Sequence, residues 1–212
     1  MPQAVDPPTG VTVVGVGRAG IAPDLVTVAL AAVVRRDAVR AALDGVSSVG
    51  AAVTAALRTA GVADPDLRTA GLRLDQAWDH GPEGSRPRGF EATMRIVARV
   101  RDVGSAGAVV AAAVEAGGND VRVEQVGLGV DDALTAERAA RESAMDDARR
   151  KAAHYAQLAG RALGEVVAVA EGGNGPVHFV DMASTSRGPG EVSFEPGEQD
   201  VSVAVTVRWD FA

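Results

Sequence analysis

The stretch VTVVGVGRAGIAPDLVTVAL, Val11 to Leu30, decides the fold, because it admits two incompatible readings. Gly15, Gly17 and Gly20 form a literal G-x-G-x-x-G directly after a β-rich run, and Asp37 lies about twenty residues on, where a dinucleotide site places its ribose-binding acid. That reading requires the third glycine to sit in the first turn of a helix whose N-terminus faces a pyrophosphate. Here Pro23 follows within three residues, and Leu25-Val26-Thr27-Val28 is β-branched and apolar. The pattern is strand, short link, strand, with the glycines inside or closely packed against the first strand. A nucleotide site at Gly15–Gly20 is the alternative, and an α+β chain without one is the expectation.

Outward from that stretch, Val11–Gly17 and Leu25–Val34 read as strands, the second apolar on both faces and therefore buried. Asp37 is placed as an N-cap, followed by Val39, Leu43, Val46, Gly50, Val53, Leu57 and Ala60 at alternating spacings of four and three, the stripe of an amphipathic helix that stops at Gly61. Gly45 and Gly50 inside it suggest that another element approaches closely there. Leu67–Trp78 reads as a strand with Ala70, Leu72, Leu74 and Trp78 on one face, and Asp79–Gly89 as an exposed turn. Phe90 to Val100 alternates, with Arg95, Arg99 and Arg101 opposite the apolar face. A short helix over Ser105–Ala116 and a strand over Val121–Val130 follow. Asp131 and Asp132 then open the longest helix, to about Ala159, with Leu134, Met145, Ala148, Ala152, Tyr155 and Ala159 expected inside. Glu137–Arg141, Asp146–Arg150 and Asp147–Lys151 are i,i+4 pairs along it. Gly164–Ala170 and Val201–Phe211 are the last strands. The organisation expected is a disordered lead-in over residues 1–9 and one domain over 10–212, with a long Gly/Pro-rich acidic loop at 172–199.

Composition excludes several classes. The chain has 212 residues, 47% of them apolar, but only seven are Phe, Trp or Tyr, so the core is built from small side chains. Without cysteine there is no disulfide framework, thiol nucleophile or zinc-thiolate site. The longest uncharged run, Gly45–Leu57, has 13 residues, short of the roughly 20 of a membrane span. A net charge of −7 argues against phosphate neutralisation, and −6 of it falls between Ala162 and Asp200. The segment Met1–Gly10 has neither a basic residue nor an apolar run, so the chain as given reads as cytoplasmic.

No cofactor or catalytic constellation emerges. His80, His154 and His178 stand apart, and His178 with Asp181 is one ligand pair where a metal site needs more. No serine lies in a nucleophile-elbow context. Arg95, Arg99 and Arg101, with Arg73 and Arg208, make a basic sheet face without the stacking aromatics a nucleic-acid surface carries. Arg95 and Arg99 are instead candidates for a subunit contact. Trp209 and Phe211, near the chain end, either cap the domain's own core or form an interface.

The order of several motifs resembles the SIMPL-domain family of bacterial proteins. Val14-Gly15-Val16-Gly17 with Ala22-Pro23-Asp24-Leu25 looks like its V-x-G-x-G…P-D opening, and Gly61-Val62 with Asp66-Leu67-Arg68-Thr69 like its link into a strand. Gly89-Phe90 and Ala116-Gly117-Gly118-Asn119 lead into strands. Ala144, Asp147-Ala148, Lys151-Ala152 and Ala156 match the family's A-x-x-D-A-x-x-K-A-x-x-x-A helix register, and Leu163-Gly164-Glu165-Val166 and Pro196-Gly197-Glu198 follow. The resemblance implies an α+β fold: a mixed or antiparallel sheet packed by two long helices and one short one, with a tendency to self-associate. It carries no catalytic residues over. Family members are often exported and loosely linked to stress or to binding other proteins. The expectation is a non-enzymatic homo-oligomer, without cofactor, that works through self-assembly and protein contacts.

Overall fold

The first strand of the chain runs straight through all three glycines of the G-x-G-x-x-G. A computed structural model describes residues 10–81, 84–172 and 197–212. Its elements are β1 (Gly10–Ile21), β2 (Leu25–Arg36), α1 (Val39–Thr59), β3 (Leu67–Gly81), β4 (Gly84–Val100), α2 (Ala106–Gly117), β5 (Val121–Gly129), α3 (Leu134–Leu158), β6 (Leu163–Glu171) and β7 (Gln199–Phe211). The architecture is α+β, with two sheets where one is expected, and every strand pair among the described residues is antiparallel. The strands fall into two compact units, one holding β1, α3, β6 and β7, the other holding β2 to β5 with α1 and α2.

The larger sheet has the order β3-β4-β2-β5. Central β2 carries an apolar run from Val28 to Val34, and Val26, Val28, Leu30 and Val34 are wholly buried. Val53 and Leu57 of α1 and Val109 and Ala113 of α2 pack with the first three and with Ile96 and Ala98 of β4, while Val34 packs with Ala42 and Val46 of α1 and Ala92 of β4. At both α1 glycines there is no room for a Cβ: one at Gly50 would stand 2.5 Å from the Met94 sulfur and one at Gly45 2.8 Å from a Val34 methyl. Each glycine therefore removes an overlap, and its low helix propensity is offset by packing.

Four local expectations are corrected here. The N-cap of α1 is Ala38, without a side-chain cap bond, and not Asp37. Of the expected α1 stripe, Val39 is exposed. The segment expected as a turn over Asp79–Gly89 is largely hairpin, with β3 running to Gly81 and β4 resuming at Gly84. Pairing of β4 with β2 stops at Phe90, so the tip of this ribbon is two strands wide. Finally, register shifts at Thr69/Gly71 and Gln76/Trp78 break the alternation of β3. Each bulge inserts a residue and turns the following side chains to the other face. Leu72 and Trp78 are exposed, whereas Ala77 is buried.

The smaller sheet has the order β1-β7-β6, with Gly10 to Ile21 of β1 paired in unbroken register with Asp210 to Gln199 of β7. Val13 on β1 and Val205, Val207 and Trp209 on β7 face α3 and meet Ala144, Ala148 and Ala152. The buried stripe of α3 is six alanines at spacing four: Ala136, Ala140, Ala144, Ala148, Ala152 and Ala156. Leu134 and Tyr155, expected inside, are exposed, as is Ala159, and Met145 is only partly buried. The reason is contact distance. A Cβ added at Gly15 would lie 2.7 Å from the Ala148 Cβ and against the Ala144 carbonyl, and one at Gly17 would overlap the Ala140 carbonyl and Ala144 nitrogen. Only alanine on the helix and glycine on the strand let backbones lie this close. The spacings are commensurate, since four helical residues rise ~6.0 Å and two strand residues ~6.6 Å. Hence Gly-x-Gly meets Ala-x-x-x-Ala, running antiparallel.

Candidate functional site

Two arrangements of polar groups stand out. The first lies where the ends of β2, β4 and β5 meet. Asp66, buried despite its charge, accepts a bidentate pair from Arg101: Nε to Oδ2 at 2.7 Å and Nη2 to Oδ1 at 3.0 Å. Arg101 reaches Asp131 Oδ2 with its remaining nitrogen at 2.6 Å, and Arg99 bonds the other oxygen of Asp131. The Asp131 backbone N–H donates to Asp24 Oδ1 at 2.8 Å, and the Asp24 N–H donates to the Gly129 carbonyl at 3.1 Å. The fork geometry of guanidinium matches carboxylate, so these are charge-assisted bonds. The hydrogen bond from Arg101, ahead of every other influence, holds the Asp66 and Asp131 carboxyls below the ordinary carboxylate range. The two carboxylates push the Arg101 guanidinium higher still.

A cleft of about 340 Å3 opens beside this network, lined in part by Gly61, Asp66, Arg99, Asp102 and Ser105. Its polar groups are engaged with one another. The Ser105 hydroxyl donates to the Asp102 carbonyl at 2.8 Å, and Asp102 Oδ1 accepts from the Gly104 N–H. Two arginines face two aspartates, so an anion entering here has to displace a carboxylate. The arrangement ties strand ends together and presents no nucleophile beside a base.

The second arrangement is at the edges of the smaller sheet. On the β1 side, the Val16 N–H donates to Asp147 Oδ2 at 2.9 Å, and Lys151 Nζ donates to the Val14 carbonyl at 2.9 Å. Lys151 and Asp147 also pair with each other at 2.7 Å. The Lys151 ammonium first, and the Val16 N–H second, hold the Asp147 carboxyl below its ordinary value. Arg150 pairs with Asp147 at 3.4 Å and not with Asp146. At the opposite edge is β6, whose residues from Glu165 to Glu171 are all exposed. Val166, Val167 and Val169 are 43%, 52% and 54% exposed, and among the described residues no strand pairs beyond β6.

The candidates from sequence are distributed as follows. Trp209 is 2% exposed and packs within the β1–β7–α3 core. Phe211 is half-buried, with the Arg161 guanidinium 5.6 Å from its ring centre. Arg95 makes a bidentate pair with Glu124 at 2.6 and 3.1 Å, and Arg99 is in the network above, so the basic strand face is neutralised by carboxylates of its own unit. His154 is exposed on α3, the backbone of His80 belongs to β3, and His178 and Asp181 lie outside the described residues, as do residues 1–9 and most of the loop at 172–199. Gly15 to Gly20 are strand, without the turn and helix N-terminus that a pyrophosphate needs, so the dinucleotide alternative is corrected by the geometry. Asp24 and Asp66 stand in the quoted motifs without a task, and Asp147 and Lys151 only as a helix i,i+4 pair, a pairing that the structure contains at 2.7 Å. The signal available was that each is charged inside an otherwise small or apolar motif.

A family model described as "SIMPL: Protein of unknown function (DUF541)" matches residues 11–209. The chain belongs to the SIMPL family. The 26 kDa periplasmic immunogenic protein of Brucella melitensis is 24% identical to this SIMPL chain, over 98% of this chain and 87% of the relative. Among solved structures, AtUAH in complex with (S)-hydroxyglycine is 17% identical with a TM-score of 0.27, over 61% of this chain and 34% of that one. This SIMPL chain therefore spans about a third of that protein. Among its described residues, no helix is long and apolar enough to cross a membrane.

Proposed function

We propose that this SIMPL protein acts without catalysing a reaction, by assembling with copies of itself into a surface that binds other proteins. The observation that carries the proposal is β6: an apolar, β-branched edge strand with exposed Val166, Val167 and Val169. Unpaired edge strands present a row of free N–H and C=O groups and are templates for another chain. A role without catalysis is supported by the cleft beside Arg101, whose charged groups pair with each other. Multi-angle light scattering of the purified chain tests the assembly. A mass above the 21.5 kDa of one chain at micromolar concentration is expected, and a strict monomer sinks it. A cytoplasmic working place, the reading of the sequence as given, is tested by cell fractionation. Recovery with periplasmic markers overturns it and aligns the chain with the name of its Brucella relative.

A further inference from the structure

A three-stranded sheet has two edges, and the two edges of this one are treated differently. Two outward-pointing backbone groups in the middle of β1 are occupied: the Val16 N–H by Asp147 and the Val14 carbonyl by Lys151, each at 2.9 Å. The side chains of Val14 and Val16 are 50% and 44% exposed, so this edge is otherwise apolar and β-branched, the composition that pairs with foreign strands. The helix delivers both polar groups because it lies directly on Gly15 and Gly17. Side chains four apart on a helix rise ~6.0 Å, close to the ~6.6 Å between alternate strand residues, so one helix face matches a donor and an acceptor two residues apart. The β6 edge has no counterpart to this pair among the described residues.

We infer that Asp147 and Lys151 form a latch that stands in for a missing neighbour strand and closes the β1 edge to an extended strand of a second copy of this chain. The inference rests on the self-assembly reading for its biological meaning, and its geometry stands independently of that reading. With β1 closed, sheet-to-sheet contact between copies is confined to β6 against β6. That contact uses the same patch on both copies and is complete at two. With β1 open, β6 of one copy pairs with β1 of the next, each addition leaves a free edge at either end, and growth has no stopping point. The latch sets whether association through this sheet is closed or open-ended.

Sedimentation velocity on the full chain tests the latch, comparing wild type, Asp147→Ala/Lys151→Ala, and Asp147→Asn/Lys151→Gln. The last variant keeps an acceptor at the place of the Asp147 carboxylate and an uncharged donor, one bond nearer the helix, in place of the Lys151 ammonium. Folding of each is verified by far-UV circular dichroism and by the emission of buried Trp209. The alanine pair is expected to raise the weight-average mass severalfold, with continued growth as concentration increases, while the Asn/Gln pair keeps the wild-type distribution. Adding Val167→Lys/Val169→Lys to the alanine pair is expected to stop the growth, because β6 is its other half. A folded alanine pair with the wild-type distribution overturns the latch. If that pair does not fold, Lys151→Ala alone, which trims a half-exposed side chain, gives the reading: growth supports the latch and its absence overturns it. A monomeric wild type removes the self-assembly reading, yet leaves the latch to be decided by whether the alanine variants associate.

Discussion

Gly17→Ala is a one-carbon change with a large expected effect. The new Cβ would overlap the Ala140 carbonyl and the Ala144 nitrogen of α3, both rigid helix backbone, and would also meet the Ala144 Cα at 3.0 Å. Ordinary contact needs 3.4 Å or more, so α3 has to withdraw from β1 by more than ~1 Å, and backbone cannot swing aside as a flexible side chain does. Overfilling a packed contact costs ~1–3 kcal/mol when side chains can rearrange. With only backbone and alanines at the interface there is little to rearrange, and ~3 kcal/mol is expected. For a unit of this size that lowers Tm by more than about 10 °C. Gly20→Ala is the internal control. Its Cβ would come no closer than 3.5 Å to anything, the Glu198 carboxylate being nearest. Its φ is not in the left-handed region, so alanine there is expected to be neutral, or stabilising by up to ~1 kcal/mol through the unfolded chain. Urea unfolding followed by Trp209 emission, in a Trp78→Phe background, reports on the unit that holds β1. A nucleotide loop would need its third glycine as well as its first two, whereas helix contact needs only the first two. Gly17→Ala within 0.5 kcal/mol of wild type, a threshold set by ordinary surface substitutions, would refute the close-packing account.

Three further outcomes follow from the same structure. Trp209→Ala removes the largest fully buried side chain and is expected to cost ~3–5 kcal/mol in the β1–β7–α3 unit, measured by urea unfolding with circular dichroism. Asp66 and Asp131 have folded pKa values below the ordinary 3.8, so their contribution is fully present above that value and is lost as pH falls below it toward the folded values. Acid titration of the β2–β5 unit is therefore expected to be flat from pH 7 to about 5 and then to fall; Asp66→Asn should flatten the fall, and an unchanged profile counts against the network. Val167→Lys/Val169→Lys places two ammonium groups on exposed positions of β6 and is expected to leave Tm nearly unchanged while removing self-association, read by light scattering.

Much of the architecture was legible because strand and helix periods are strong signals. β2 and β4, buried or cleanly alternating, lie where their apolar patterns put them. The losses have local causes. On α3, the expected stripe favoured large side chains such as Leu134 and Tyr155, whereas the strand beneath it is glycine and admits only alanine; a helix taken alone does not disclose what it packs on. On β3, two bulges reverse which side chains share a face, and no composition rule marks a bulge at Ala70 or Ala77. The ionic network was hidden because Asp24, Asp66, Arg101 and Asp131 are far apart in sequence, although two of them lie in quoted motifs. The Asp147–Lys151 pair was visible as a helix pair, but its reach to the strand edge depends on the glycines of β1. Family membership was legible from motif order alone, since those motifs mark the tightest contacts: Gly15 and Gly17 against the alanines, and Asp24 and Asp66 in the arginine network.

The central claim is that this SIMPL chain works by associating with itself through the β6 edge. Sedimentation equilibrium of wild type and Val167→Lys/Val169→Lys over a range of micromolar concentrations tests it most directly. The account predicts a wild-type mass that is a multiple of 21.5 kDa and a variant that returns to 21.5 kDa with its fold intact. A wild type that stays at 21.5 kDa throughout, or a variant that associates as the wild type does, contradicts it.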